Sequence, residues 1–525
     1  MKRGDSKMIS RINIKFLPAL LVILFSITIL SAQNNGELLG YQGIADVNKV
    51  GVKAIAMGTN YTAISGSINS LYYNTAGLAD IDKFQISFGT MTGSREMWEN
   101  KIWGPQSKIP LLTPMFEGLM DIPRGLDFVT DTELWEQLDD LNPINVPTQG
   151  EYHYNRDAAK WIKEDNFTVP VNNISFAMPF EMLGSKYVLA GTYNNKHNFT
   201  DYDRNDSYTS PDINDRVPIY IESITGDTTI VNWFQYERIR TGNISSAKVA
   251  LSGNFGDNLK IGIGVESIFG KTDDEMTLDQ TGEFTLLNQD FLYSNDSLHT
   301  AVTSGTSNFS GFSTDIGFLL DLETIDIGFS MKLPTTIERD WNYNTKTRYY
   351  VDQYDSLAGE VLESDIETIT TKSSGVDKLK IPMTFNFGVA IQAIDQMKIT
   401  IDMVYKGYKD ADFDFADNIQ DSIHTGWANQ LSYGMGVAYD FNEKFSLLGG
   451  YRSTPLAFIP WGAADKEEGP RADTFSCGFS WKVLHGAIDM AYEYRKLKYL
   501  EPAFNYLNFQ VENRHNIHFG YTFIF

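Results

Sequence analysis

The last eleven residues, His515 to Phe525, alternate between two faces. Ile517, Phe519, Tyr521, Phe523 and Phe525 make one wholly apolar side, while Asn516, His518, Gly520 and Thr522 give the other side small or polar groups. That is the pattern of a strand with one face in hydrocarbon and the other in a lumen or water. About fourteen such runs follow residue 83, at 84–92, 171–181, 186–197, 244–256, 259–270, 307–321, 324–337, 380–392, 396–408, 427–441, 444–454, 471–484, 485–497 and 511–525. In lipid every backbone polar group needs an internal partner, so strands that face hydrocarbon must close into a barrel. The expected fold is all-β: a transmembrane antiparallel barrel of about fourteen strands, with a terminal aromatic strand that closes on the first.

The connections carry the orientation. Short turns are expected at Leu183-Gly184-Ser185, Gly256-Asp257-Asn258, Leu322-Glu323, Ala393-Ile394-Asp395, Asn442-Glu443 and around Leu484, and long acidic stretches lie between them. An even-stranded meander with its long loops all on one side matches an outer-membrane barrel, whose long loops are extracellular and whose turns are periplasmic. The longest loop is expected at 93–170 and the next at 198–243. Thr130-Asp131-Thr132-Glu133 ahead of Leu134, and Asp157 to Asp165, predict short helices in the first of these.

At the other end, Lys2, Arg3, Lys7, Arg11 and Lys15 precede an apolar run from Phe16 to Leu30 and then Ser31-Ala32-Gln33. This predicts a secretory signal over 1–32, followed by a segment over 33–83 that is not simply a first strand and a barrel over 84–525 in the cell outer membrane of a Gram-negative bacterium. The formal charge of −24 becomes about −28 without the signal's five basic and one acidic residues, which disfavours nucleic acid as a partner. The single Cys477 excludes a disulfide framework and a cysteine metal cluster. No nucleophile elbow, zinc-protease or phosphate-loop motif occurs, so neither an enzyme nor a cofactor is expected. Asp410, Asp412 and Asp414 have calcium-loop spacing, but Phe415 stands where that loop needs Gly. The expectation is an acidic strand end with Phe413 and Phe415 facing lipid, and no metal. His515 and His518 point to opposite faces.

Residues 51–79 are small, Gly-rich and weakly amphipathic. Ala56-Met57-Gly58-Thr59 and Tyr72-Tyr73-Asn74-Thr75-Ala76-Gly77-Leu78-Ala79 resemble the hatch motifs of the FadL/TodX-type (OmpP1/FadL) outer-membrane transporters. The hairpin from Ser246 to Val265, the run Leu379-Lys380-Ile381-Pro382 and Gly449-Gly450-Tyr451 are similar to later segments of that family. The family's Asn-Pro-Ala triplet is Asn74-Thr75-Ala76 here. The resemblance implies a passive, monomeric diffusion channel for hydrophobic small molecules such as long-chain fatty acids or aromatic hydrocarbons. The hatch motif Asn74, Thr75, Ala76 and Gly77 would gate it, and the ligand would leave by hatch movement or laterally through a strand interruption. A PorV-type secretion accessory and a general porin are the alternatives.

Sorting the strands by face puts Lys248, Lys332, Lys380, Lys406, Arg452 and Arg495 on the inward side near the extracellular ends, and Asp321, Asp326 and Asp440 toward the opposite end. The six cations are candidate ligands for the carboxylate of an amphipathic compound. Their other reading is pairing with acidic loops or with lipopolysaccharide phosphates, lipid and lipopolysaccharide being the further partners expected.

Overall fold

The computed structural model describes residues 47–103, 156, 161–182, 184–204, 228–229, 233–281, 284–285, 297–350, 366–416, 428–457, 470–503 and 506–525. The strands are β1 Gln85–Trp103, β2 Trp161–Met182, β3 Ser185–Arg204, β4 Trp233–Phe255, β5 Leu259–Thr281 and β6 Ser297–Leu322. Three interrupted strands follow: β7 runs Ile325–Lys332 and Thr335–Tyr350, β8 Ile366–Ile381 and Thr384–Ile394, β9 Met397–Lys406 and Asp412–Asp414. The last five are β10 Gln430–Asp440, β11 Phe445–Pro455, β12 Arg471–Val483, β13 Gly486–Ala503 and β14 Tyr506–Ile524. Sequence neighbours pair antiparallel, and β1 pairs with β14 from Gln85 opposite Ile524 to Trp103 opposite Tyr506, which closes the barrel. Among the described residues no helix is long and apolar enough to cross a membrane.

The alternation read from sequence holds in space. Ile517, Phe519 and Phe523 of β14 are exposed on the outer face, whereas His518, Gly520 and Thr522 are buried inside. The outward band of large apolar side chains includes Val249, Leu251, Phe318, Phe387, Ile401, Met403 and Phe475. Surface of this kind in quantity is solvated by lipid rather than water. Each of the fourteen predicted runs falls on strand, three of them (324–337, 380–392 and 396–408) running into or across a break, and the strands reach farther toward the long loops.

A bilayer needs only about 9 to 11 residues of tilted strand, yet β6 has 26. Above Phe312 its outward positions are Ser310, Asn308 and Ser304, all exposed. The barrel therefore stands well clear of the apolar band on the long-loop side. Residues 93–103 and 161–170, expected in the first long loop, are strand, as are 198–204 and 233–243. Trp161, Ile162 and Asp165 likewise lie in β2 rather than in a helix. The predicted helix at Thr130 and the signal at 1–32 fall outside the described residues.

The breaks in β7, β8 and β9 lie at one height. Lys332 is opposite Thr384, and Thr384 is opposite Lys406, just below the three interruptions. Pro334 and Pro382 lack the N–H that a ladder needs, and in β9 a 3-10 turn at Tyr408–Asp410 does the same work. Each break shifts the inward parity. Below it Ser330, Lys332, Thr400 and Asp402 face inward; above it Thr335, Ile337, Arg339, Asp377, Leu379 and Phe415 do.

Candidate ligand path

The hatch occupies the lumen at the level of the apolar band. It comprises α1 Val52–Ala56, α2 Ser70–Tyr73 and a 3-10 turn Thr75–Leu78. Asn74 caps that turn, its Oδ1 accepting the Ala76 N–H at 3.2 Å, and its amide donates to the carbonyls of Thr62 at 2.8 Å and Phe318 at 3.0 Å. The Thr75 hydroxyl donates to Asp315 at 3.1 Å. Asp315 also pairs with Lys248 at 2.7 Å, and Lys248 donates to the Leu71 carbonyl at 2.8 Å. Ser252 donates to the Ala76 carbonyl at 3.1 Å. A Cβ on Gly77 would stand 2.3 Å from the Ile64 carbonyl oxygen, so only glycine fits. The Thr75 hydroxyl thus makes a bond to the wall that a proline at this position could not make.

Other strands hold the rest. Asp402 of β9 accepts the Thr62 N–H at 2.8 Å, Ser330 of β7 donates to the Tyr73 carbonyl at 2.9 Å, and Tyr72 bonds Ser175 of β2 and Thr192 of β3. Arg452 of β11 reaches the Gly58 carbonyl and the Thr59 hydroxyl. Where hatch backbone meets wall, the wall is glycine: a Cβ on Gly317, Gly328, Gly434 or Gly450 would lie 2.1 to 2.3 Å from a hatch atom.

Above the hatch lies an ionic layer. Glu266 of β5 takes Lys196 at 2.6 Å and Lys332 at 2.8 Å. Next comes an apolar belt in which Phe199, Ile244, Ile268, Phe309, Ile337, Leu379, Phe415 and Leu497 join one buried cluster, with Tyr408 brought in by the turn in β9. Beyond the belt is a buried polar network. Arg339 pairs with Asp377 at 2.6 Å and Arg240 with Asp274 at 2.7 Å, and Asp274 also accepts from Tyr343 at 2.7 Å. Desolvated pairs of this sort hold geometry more than they add stability.

Beside the ionic layer the wall opens. The β2–β3 ladder runs from Met182 opposite Ser185 only as far as Asn173 opposite Asn194. Beyond that, β2 continues on β1 to Trp161 opposite Glu99, and β3 on β4 to Arg204 opposite Glu237. Both strands bulge at the parting, β2 opposite Gly89–Met91 and β3 between Asn195 and His197. A bulge bends and twists its strand away from the ladder. The hatch arm spans the two bulges: Asn48 donates its N–H to the Lys196 carbonyl at 2.8 Å, and Asn172 donates to the Lys49 carbonyl at 3.0 Å.

The comparisons with known proteins come from structure. No family model matches the sequence, and no curated protein matches it. A solved FadL homologue from Pseudomonas aeruginosa superposes with a TM-score of 0.53 at 12% identity, over 91% of this chain and 98% of the other. The P. putida toluene transporter TodX superposes with a TM-score of 0.51 at 11% identity, over 91% and 98%. The chain has the FadL-type fold. The barrel found here is closed strand by strand and plugged from within.

The six predicted cations separate within this FadL-type lumen. Lys248 and Arg452 hold the hatch; Lys248 stands well inside β4, which runs on to Trp233, whereas Arg452 stands three residues from the long-loop end of β11. Lys332 pairs with Glu266, Arg495 pairs with Glu512 at 2.5 Å, and Lys406 lies 5.6 Å from the Tyr408 ring. Lys380 is a correction: it is exposed and alternates with buried Asp377 and Leu379, because the break after Ile381 reverses the parity assumed from the residues below it. Phe413 and Phe415 are likewise corrected: Phe415 is buried in the belt with Phe413 packed against it, and the intervening aspartates are the exposed face. Among the described residues no His, Cys, Asp or Glu group is arranged to hold a metal. Sequence reading missed the belt and the β2–β3 parting. The inward change from Ser246 to Ile244, and Pro334 and Pro382 inside otherwise continuous strands, are the signals that could have found them.

Proposed function

We propose that this chain is an outer-membrane passive transporter for hydrophobic small molecules, with the hatch as its gate. The observation that carries the reading is the apolar belt, placed directly above a bonded hatch and next to the β2–β3 parting. Apolar lining at the far end of a polar, glycine-rich lumen serves a greasy solute and hinders an aqueous one. The structural neighbours named for a toluene transporter and a FadL homologue support the same class. A ligand would enter through the long-loop end, rest against Phe199, Ile268, Phe309 and Leu379, and leave through the parting, whose start at Asn173 and Asn194 lies near the top of the apolar band. Lys332 and Lys406, just below the belt, are the predicted cations best placed for a carboxylate head group.

Purified protein in detergent should bind a long-chain acid or an aromatic hydrocarbon saturably, and Ile268→Asp should weaken that binding at least tenfold. No saturable binding, with a secretion partner co-purifying in stoichiometric amount, would replace this reading with the PorV-type alternative. A large steady conductance in planar bilayers would replace it with a general porin.

A further inference from the structure

The hydrogen bonds that fasten the hatch run mainly to β2–β7, β9 and β11, whereas its contact with β12–β14 is close packing: Ala56 on Gly478 and Val52 on Gly520. That side of the wall is nonetheless polar. Asn516, Glu493 and Ser476 sit side by side across β14, β13 and β12. One step toward the turns is His518 beside Ala491, and the next step is Asp489 beside Gly520 and Ser480. They share the inner face with Gly478 and Gly520, since Met490, Tyr492, Ile517 and Phe519 are exposed outside.

These groups are buried and under-bonded. His518 is 1% exposed, Glu493 4%, Asp489 6% and Ser476 7%. Neither ring nitrogen of His518 has a hydrogen-bond partner, nor have Glu493 Oε2, Ser476 Oγ, Asn516 Oδ1, Asp489 Oδ1 or Arg452 Nε. The Arg452–Glu493 pair is loose at 3.7 Å. Buried polar atoms are satisfied in nearly every stable protein, by water where no side chain reaches them. Here they form a file, beginning at Arg452 of β11 and ending at Asp489 of β13. Asp489 stands three residues from Gly486, where β13 begins at the short-turn end, so the file reaches that end of the barrel.

We propose that the hatch and β12–β14 enclose a hydrated seam that passes water and small cations while the hatch stays in place. Carboxylate and amide oxygens of Glu493, Asp489 and Asn516 can only accept, His518 and Ser476 can each donate or accept, and Arg452 Nε is the one open group of the file that can only donate; the two carboxylates tip this balance toward occupants that donate hydrogen bonds or carry positive charge. The seam lies across the lumen from the belt-side fastenings and does not depend on which hydrophobic ligand the protein takes.

The full protein reconstituted in planar bilayers, with potassium chloride as the only probe and no hydrophobic ligand, should show a small cation-selective conductance. Glu493→Gln combined with Asp489→Asn should lower the conductance and the potassium-to-chloride permeability ratio several-fold, and Ala491→Leu should narrow the path beside His518. As a second measurement, Ser476→Cys in a Cys477→Ser background should react with a small cationic methanethiosulfonate, whereas Ser330→Cys, at the bonded Tyr73 contact, should not. Heat-modified gel migration reports whether each variant is folded. Conductance no greater than the bare bilayer, anion preference, folded variants that conduct like the parent, or an inert Cys at 476 would each overturn the seam.

Discussion

Asp402→Ala tests how firmly the hatch is held. Asp402 is 4% exposed and its Oδ2 accepts the buried Thr62 N–H at 2.8 Å. A hydrogen bond to a charged group contributes roughly 1.5 to 3 kcal/mol, and a donor left buried without a partner costs about 1 to 3 kcal/mol. The two overlap, so about 2 to 4 kcal/mol should be lost. At 1.4 kcal/mol per tenfold, the hatch should open about 30 to 700 times more often. The assay is amide hydrogen exchange in detergent over residues 60–79, with the β9–β10 ladder at Ile399 and Val437 as internal control. Exchange should quicken at the hatch and not in that ladder, and Asp402→Asn, which keeps an acceptor, should show a smaller effect. If hatch exchange is unchanged while the ladder is intact, the Thr62–Asp402 bond does not hold the hatch and the fastening argument fails.

Four further outcomes are expected. Thr75→Val, which deletes the hydroxyl bonded to Asp315, should cost about 0.5 to 1.5 kcal/mol of hatch stability by the same exchange measurement; no change would mean the Lys248–Asp315 pair suffices. Ile401→Arg places a cation on the lipid face, where Ile401 is 53% exposed, and should destabilise the barrel in refolding titrations by about 2 to 4 kcal/mol; a neutral result would take that face out of the bilayer core. Neutralising Lys332 and Lys406 to Met should weaken binding of a long-chain acid at least tenfold and leave a neutral aromatic unaffected; equal loss for both would mean damage to the lumen, and no loss would restrict these lysines to structural pairing. Lys186 hydrogen-bonds Asp82 and holds its carboxyl below the ordinary range. That link is therefore intact above the ordinary carboxylate range and lost as pH falls through the lowered pKa, so the protection factors of residues 80–83, corrected for intrinsic exchange, should fall in acid, and Lys186→Met should abolish the difference.

Much of the barrel was legible because a lipid-facing strand must alternate. Leu431, Tyr433 and Met435 against Ser432, Gly434 and Gly436 identify a strand, its faces and its pairing without further information. The same rule failed where its cause was missing. Beyond the bilayer the outer face of β6 meets water, as at Ser304, Asn308 and Ser310, so nothing obliges those positions to be apolar, and the residues of β6 before 307 were read as loop. Lys380 and Phe415 were assigned to the wrong faces for a different reason. One out-of-strand segment, Pro382-Met383 in one case and Gly407 to Ala411 in the other, reverses the faces of the side chains on its two sides relative to each other.

The hatch motif was visible in residues 72–79, but not its attachments. Asn74 reaches Phe318, and Thr75 reaches Asp315, across more than two hundred residues of chain. Periodicity therefore determined the strand order, the short turns and which side meets lipid, since these depend on local chemistry repeated every second residue. Only the closed barrel decided the rest: the glycines that admit the hatch, the belt assembled from Phe199 to Leu497, and the parting of β2 from β3. Each of those is a contact among distant strands, fixed by register and closure rather than by any neighbouring residue.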